Sequence, residues 1–292
     1  MRNAKKEDKM RINTNISSLS AQEAMTQTDK SLNTSLERLS SGLRINKASD
    51  DASGLSIADK LRTQASSIKQ SIDNANSGVA LVQIADKAMA EQSNIVDIIK
   101  QKLTQAGTAT TSTEGRAAIA KDINKLLDQL NNIAKQTNYN GMSLLQESRG
   151  SAGVTDSLTF QVGETAADIL STSGGIASNS TGLGLTDLKS VTSADKLTQT
   201  AAQSFMDDMD AALNQLNKWR SDYGSTQNQL ESATRNMMTQ HTNVKAAESI
   251  IRDVDYAQES ANFNKLNIIS QAGNYALTQS NQIQQNVLKL LQ

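Results

Sequence analysis

The sequence predicts a mainly α protein: a long antiparallel helical bundle, or coiled-coil rod, with a small β region in the middle of the chain and paired N- and C-terminal helices. Three observations predict it. Apolar residues recur at every third or fourth position over long stretches, the signature of a heptad stripe. Proline is absent from all 292 residues, so no helix need be interrupted. Aromatic residues make up 3% of the chain, which leaves few side chains suited to strands or to an aromatic core.

The stripes can be taken in chain order. Met25, Leu32, Leu36, Leu39 and Leu43 form the first. Ala65, Ile68, Ile72, Ala75, Val79, Val82, Met89, Val96 and Leu103 form the second, with Asp86, Ser93 and Lys100 as its polar steps. In the segment GTATTSTEG, Thr111 to Glu114 reads as a capping box that starts a new helix, and Ile119, Ile123, Leu126, Leu130 and Ile133 follow it. The longest stripe runs from Met209 through Ala212, Leu216, Trp219, Tyr223, Leu230, Ala233, Met237, Val244, Ala247 and Ile251 to Val254, with Thr226 and Gln240 polar. At a rise of ~1.5 Å per residue it spans roughly 70 Å, so it needs partners along its length. The second and third stripes supply them, and Trp219 is expected in the shared core.

One region departs from this pattern. From about Ser143 to Thr192 glycine, serine and threonine are frequent, and LTFQV at 158–162 alternates as a strand does. It reads as a small turn-rich β insertion that caps one end of the bundle where the chain reverses.

Both ends of the chain carry stripes without a partner in the central bundle. Met25 to Leu43 is one, and Ile269, Ala272, Ala276, Ile283 and Leu290 form the other. A stripe that reaches the last turn implies docking, and a single helix pair leaves apolar surface exposed, so self-association is the expected way to bury it.

Other function classes find little support. The net charge of -1 gives no general attraction to nucleic acid or to an acidic membrane. No stretch of 18 apolar residues is present to span a bilayer, and the start, MRNAKKEDKMRIN, has no apolar core of a secretory signal, so any export is expected to take a route without a cleaved signal peptide. Cysteine is absent, which removes disulfides and thiolate chemistry. His241 has no second histidine for a metal pair. Asp50 and Asp51 read as a turn or helix start, and Asp207, Asp208 and Asp210 as a solvated face. The glycines near 173–175 and 182–184 lack the lysine and spacing of a phosphate loop. No catalytic, cofactor or metal residues are assigned, and the chain is read as a non-enzyme.

Several ordered motifs resemble a known family. LSSGLRINKASDDASGLSIA at 39–58, preceded by RINTNISSLSAQ at 11–22, is similar to the N-terminal signature of bacterial flagellin. QTNYNGMSLL at 136–145, FQVGE at 160–164, RSDYGSTQNQLESA at 220–233, RDVDYAQESANF at 252–263 and QAGNYALTQSNQIQQNVLKLLQ at 271–292 resemble the later flagellin motifs in the same order.

The resemblance implies a subunit of the extracellular flagellar filament, used for swimming, in a short form without a large outer variable domain. It implies an inner coiled-coil domain of residues 10–53 and 253–292, a helical rod domain of 54–142 and 193–252, and residues 143–192 as the insertion. Residues 1–9 are then an extension or a misassigned start. The implied partners are further copies of the chain, an export chaperone, the export apparatus, and the filament cap and hook-junction proteins. Ile98 and Lys102 stand where receptor-recognised members carry an arginine and a leucine, which counts against recognition by the innate immune receptor. Some flagellins bear O-linked sugars on outward loops, and Ser171, Thr172, Ser173, Ser178, Ser180 and Thr181 are the corresponding candidates. Two other readings stay open at this point: a hook-filament junction protein, and a cytosolic coiled-coil adaptor.

Overall fold

The computed structural model describes residues 14–146, 157–172, 174, 176–193 and 196–290. The expected extension at 1–9 and Ser173 lie outside the described residues, as does the side chain of Leu290. The order of elements is α1 (Ile16–Ser41), α2 (Ala52–Ala106), α3 (Thr113–Gln136), β1 (Asn138–Tyr139) and β2 (Met142–Ser143). It continues with β3 (Thr159–Gln161), β4 (Ile169–Ser171), α4 (Thr186–Ser193), α5 (Gln199–Arg252) and α6 (Tyr256–Leu290). The fold is mainly α, with two small antiparallel hairpins in the middle of the chain. These elements form two compact units: the described parts of residues 64–243, and the described parts of 1–63 with 244–292. Both boundaries fall inside helices, α2 and α5.

In unit 64–243 the stripes face inward. Val82, Ala85, Met89, Ile99 and Leu103 of α2 are 0% exposed, as are Ile123, Leu127 and Leu130 of α3 and Met209, Leu216 and Leu230 of α5. Each fully buried Leu, Ile or Met stabilises by about 1.5–3 kcal/mol through removal from water, so this interior accounts for most of the unit's cohesion. Trp219 is buried at 8% exposure beside Tyr223 at 2%, as expected of core residues. On α3 the interior is carried by Leu127 and Ala134, whereas the expected Leu126 and Ile133 are half-buried on its flank.

The polar steps have partners. Asp86 accepts from Arg220 Nε at 2.9 Å, and Lys100 pairs with Asp210, so α2 and α5 run antiparallel with ion pairs where their stripes turn polar. Asp210 is thus one half of an interhelical pair rather than part of a purely solvated face. Gln92 is fully buried, and its Nε2 donates to Leu130 O at 3.1 Å and Ser178 O at 2.9 Å, tying α2 to α3 and to the middle segment.

Helix α3 begins one residue later than the capping box predicts. Ser112, with extended backbone, accepts from Gly115 N at 3.0 Å, so the cap is Ser112 and not Thr111. Thr111 instead donates its hydroxyl to Gln105 O, which ties the loop to the end of α2.

The β region starts earlier than expected, at Asn138. Asn140 (φ 51°) and Gly141 (φ 80°) both take left-handed backbone, the geometry of a two-residue hairpin turn that Asn-Gly favours. The second hairpin, β3–β4, rests on the side of α2. Ser71 Oγ donates to Gly163 O and Asn74 Nδ2 to Gln161 O, each at 3.4 Å. Phe160 lies so close to Gly78 that a Cβ there would meet its ring at 2.8 Å. Only glycine lets the hairpin approach this helix face.

The other unit is built on α1 and α6. Asn15 caps α1 by accepting from Ser18 N at 3.0 Å, and Gly42, at φ 73°, ends it by donating to Arg38 O at 2.9 Å. Asp51 accepts from Gly54 N at 2.8 Å at the start of α2, and Asp255 accepts from Ala257 N and Gln258 N at the start of α6. The two connections between helices lie side by side. Arg44 N donates to Arg252 O, Val254 N to Gly42 O, and Leu43 bridges Asp253. This is the structural content of the LSSGLRINKASDDASGL and RDVDY segments: each supplies one side of a small junction within the chain.

Candidate functional site

The α1–α6 pair carries most of the sequence-predicted site residues, and the structure sorts them onto two faces. The helices run antiparallel, as cross-links near both ends show. Asn15 Nδ2 donates to Ser280 Oγ at 3.3 Å, Ser18 Oγ to Asn281 Oδ1 at 3.0 Å, and Ser35 Oγ to Glu259 Oε1. On α1 the inward register is Ser18, Ala21, Met25, Thr28, Leu32, Ser35 and Leu39. On α6 it is Glu259, Phe263, Leu266, Ser270, Gly273, Leu277, Ser280 and Gln284. Both sets step by three and four, as a two-helix seam requires.

Met25, Leu32 and Leu39 therefore belong to the intramolecular seam, half-buried against α6. Leu43 is half-buried in the junction beyond the helix. Leu36 points outward, 53% exposed. The C-terminal stripe is displaced from the seam by about one residue. Ile269 and Ile283 are 42% and 54% exposed, and Ala272 and Ala276 are exposed as well. Ile16, Leu19, Ile268 and Tyr275 add to the uncovered apolar surface.

Sequence reasoning missed the true α6 seam because serine, glycine and glutamine occupy half of it, while the larger residues sit one position away. A signal was available: small residues at a heptad spacing, Ser270, Gly273 and Ser280, allow close helix approach without looking hydrophobic.

Among the described residues of the seam, only Ser35 and Glu259 fall below a tenth of their full exposure. The Glu259 carboxylate also accepts from Asn262 Nδ2 at 3.3 Å and faces Arg38 Nη1 at 3.9 Å. A buried charge held by one serine and one arginine fixes the register of the pair, because sliding by a turn would leave it without partners. At the junction, Asp50 Oδ2 accepts from Asn46 N at 3.1 Å and Lys47 N at 2.9 Å. These bonds hold its carboxyl below the usual aspartate range. Asp50 and Asp51 are thus turn and cap residues.

The remaining candidates are dispersed. Thr172, Ser178 and Ser180 are buried at 4%, 0% and 6% exposure, so on the folded chain only Ser171 and Thr181 of the described O-glycosylation candidates reach solvent. The Ser178 hydroxyl faces Leu145 O, and the Thr172 hydroxyl accepts from Leu158 N. The sequence made these residues look like an outward loop because serine and threonine are polar; here they satisfy backbone groups inside it. Ile98 is 41% exposed on α2, and Lys102 pairs with Asp122 at 2.9 Å. Among the described residues no group of three or more His, Cys, Asp or Glu is placed to hold a metal, and no helix is long and apolar enough to cross a membrane.

The bacterial flagellin N-terminal helical region matches residues 12–149, and the bacterial flagellin C-terminal helical region matches residues 206–291. The flagellar filament 33 kDa core protein of Treponema phagedenis is 34% identical over 288 residues, covering 97% of this chain and 100% of that protein. The flagellin of Bacillus subtilis (strain 168) is 35% identical over 305 residues, with coverage of 97% and 100%. A crystal structure of Bacillus cereus flagellin aligns over 60% of this chain and 94% of that one, at a TM-score of 0.48 and 24% identity. The chain belongs to the bacterial flagellin family and is a structural subunit of the flagellar filament.

Proposed function

We propose that this subunit polymerises through the outward face of its α1–α6 pair, and that this pair becomes fully ordered only on assembly. The observation that carries the reading is the burial of the pair: a seam of mostly half-buried residues beside an uncovered row of Leu36, Ile268, Ile269, Tyr275 and Ile283. Ordering a residue costs about 1–2 kcal/mol of backbone entropy, and a seam this thin offsets little of it. Contact with neighbouring subunits buries the outer row and supplies the rest, which is folding coupled to binding. The contact is heterologous, since head-to-tail interfaces that do not close generate helical filaments.

On this reading residues 10–53 and 253–292 form the inner filament domain and residues 54–252 the part outside it. The uncovered row is the surface that an export chaperone would cover before assembly. Passage through the export apparatus, and contacts with cap and hook-junction proteins at the filament ends, complete the proposal.

Three substitutions separate the faces. Leu36→Glu and Ile283→Glu should leave the helix pair formed yet prevent elongation from filament seeds in electron micrographs, whereas Leu39→Glu should open the pair itself. Normal filaments from Leu36→Glu and Ile283→Glu would show that the outer row is not the assembly surface.

A further inference from the structure

We propose that Asn140 is a site of spontaneous deamidation, set up by the turn between β1 and β2. Asn140–Gly141 is the sole Asn-Gly pair in the sequence. The chemistry needs the backbone nitrogen of the following residue to attack the asparagine Cγ. Ammonia leaves, a five-membered succinimide forms, and water opens it at either carbonyl to give aspartate or isoaspartate. The net change consumes one water and releases one ammonia, with no catalyst or oxidant.

The turn meets each requirement. Asn140 and Gly141 are both exposed, and the space where a Cβ on Gly141 would stand is empty, so nothing hinders the attacking nitrogen. The ladder pairs Asn138 with Ser143 and Tyr139 with Met142, which leaves the Gly141 N–H at the tip outside it. Asn140 at φ 51° is the one non-glycine residue with positive φ among those described, a conformation the closed turn imposes. Strands of two residues open readily, and opening frees Asn140 to take the extended backbone in which nitrogen and Cγ meet.

The two Asn-Ser pairs provide a contrast within the same chain. Asn76–Ser77 lies inside α2, where the Ser77 nitrogen belongs to the helix. At Asn179–Ser180 the Ser180 nitrogen donates to Asn131 Oδ1 at 2.8 Å, and Asn179 Oδ1 accepts from Gly182 N at 2.7 Å, so nucleophile and target are both engaged.

The two products differ in consequence. Aspartate tolerates left-handed backbone and keeps the turn, adding a negative charge at its tip. Isoaspartate inserts a methylene into the main chain, so a two-residue loop no longer closes and the pairing of Tyr139 with Met142 is lost. Leu144 and Leu145, buried at 1% and 0%, confine the damage to the hairpin. Because the reaction is irreversible, its extent records the time since synthesis.

The test is incubation of the folded full-length chain at mildly alkaline pH, followed by digestion after lysine and arginine and mass spectrometry. The peptide 136–149 should gain the amide-to-acid mass shift and an isoaspartyl fraction, ahead of peptides 70–87 and 150–189, which hold Asn76 and Asn179. The Asn140→Asp variant should fold alike and show no such shift in peptide 136–149. A peptide 136–149 that keeps its amide, or converts no faster than the other two, would overturn the proposal.

Discussion

The interior of residues 64–243 and the α1–α6 pair carry the same periodic signal in sequence and come to opposite ends of the burial scale. In the first, stripes from α2, α3 and α5 converge, and residues such as Ile99, Leu103, Leu130 and Leu216 lose all contact with water. In the second, two helices face only each other, and Met25, Leu32 and Leu39 stay half-exposed. A heptad stripe states which face of a helix is apolar, and the number of neighbours decides how much of that face is buried. The long stripe shows this within one helix: Met209 to Met237 are buried or nearly so, while Val244, Ala247 and Ile251 are only half-buried where α5 enters the terminal unit.

The contrast can be broken by substitution. The largest expected effect is in the interior: Leu130→Ala should cost about 2–5 kcal/mol, seen as a lower midpoint of denaturant unfolding, with little change in amide exchange of α1 and α6. A loss below 1 kcal/mol would mean that this interior is not tightly packed. Next comes Glu259→Ala, which leaves Arg38 and Ser35 without their carboxylate. It should weaken the terminal pair by about 1–3 kcal/mol, read as faster exchange of 16–41 and 256–290, while the unfolding midpoint of the interior holds. Glu259→Gln, which keeps an acceptor for Ser35, should lose less.

A smaller effect belongs to Asp50. Its carboxyl is held below the usual range by the amides of Asn46 and Lys47, so its contribution is present above the ordinary aspartate pKa of about 4. That contribution is lost as pH falls through the lower folded value. Acid should therefore loosen residues 46–51 in wild type, observable by NMR line broadening there, and Asp50→Asn should remove this pH dependence.

Much of the fold was legible because periodicity reports it directly: the long helices, the inward stripes of residues 65–103 and 209–237, and the break in the middle all follow from spacing. The site was legible only in part. The stripes group Leu36 and Ile283, which are exposed, with Met25, Leu32 and Leu39, which face inward. Periodicity cannot separate two apolar faces of one helix when the seam between them is built from serine and glycine. The β1–β2 hairpin went unread although Asn140–Gly141 signals it, because a two-residue strand has no periodicity to detect. The polar Asp86 and Lys100 looked like gaps in a stripe, and their partners Arg220 and Asp210 lie more than a hundred residues away in sequence.

The proposed dependence of the terminal pair on neighbouring subunits is tested most directly by amide hydrogen exchange on the wild-type chain before and after polymerisation. Residues 16–41 and 256–290 should exchange rapidly in the monomer and become protected in filaments, while 82–103 and 119–134 stay protected in both. Equal protection of 16–41 and 256–290 in monomer and filament would contradict it.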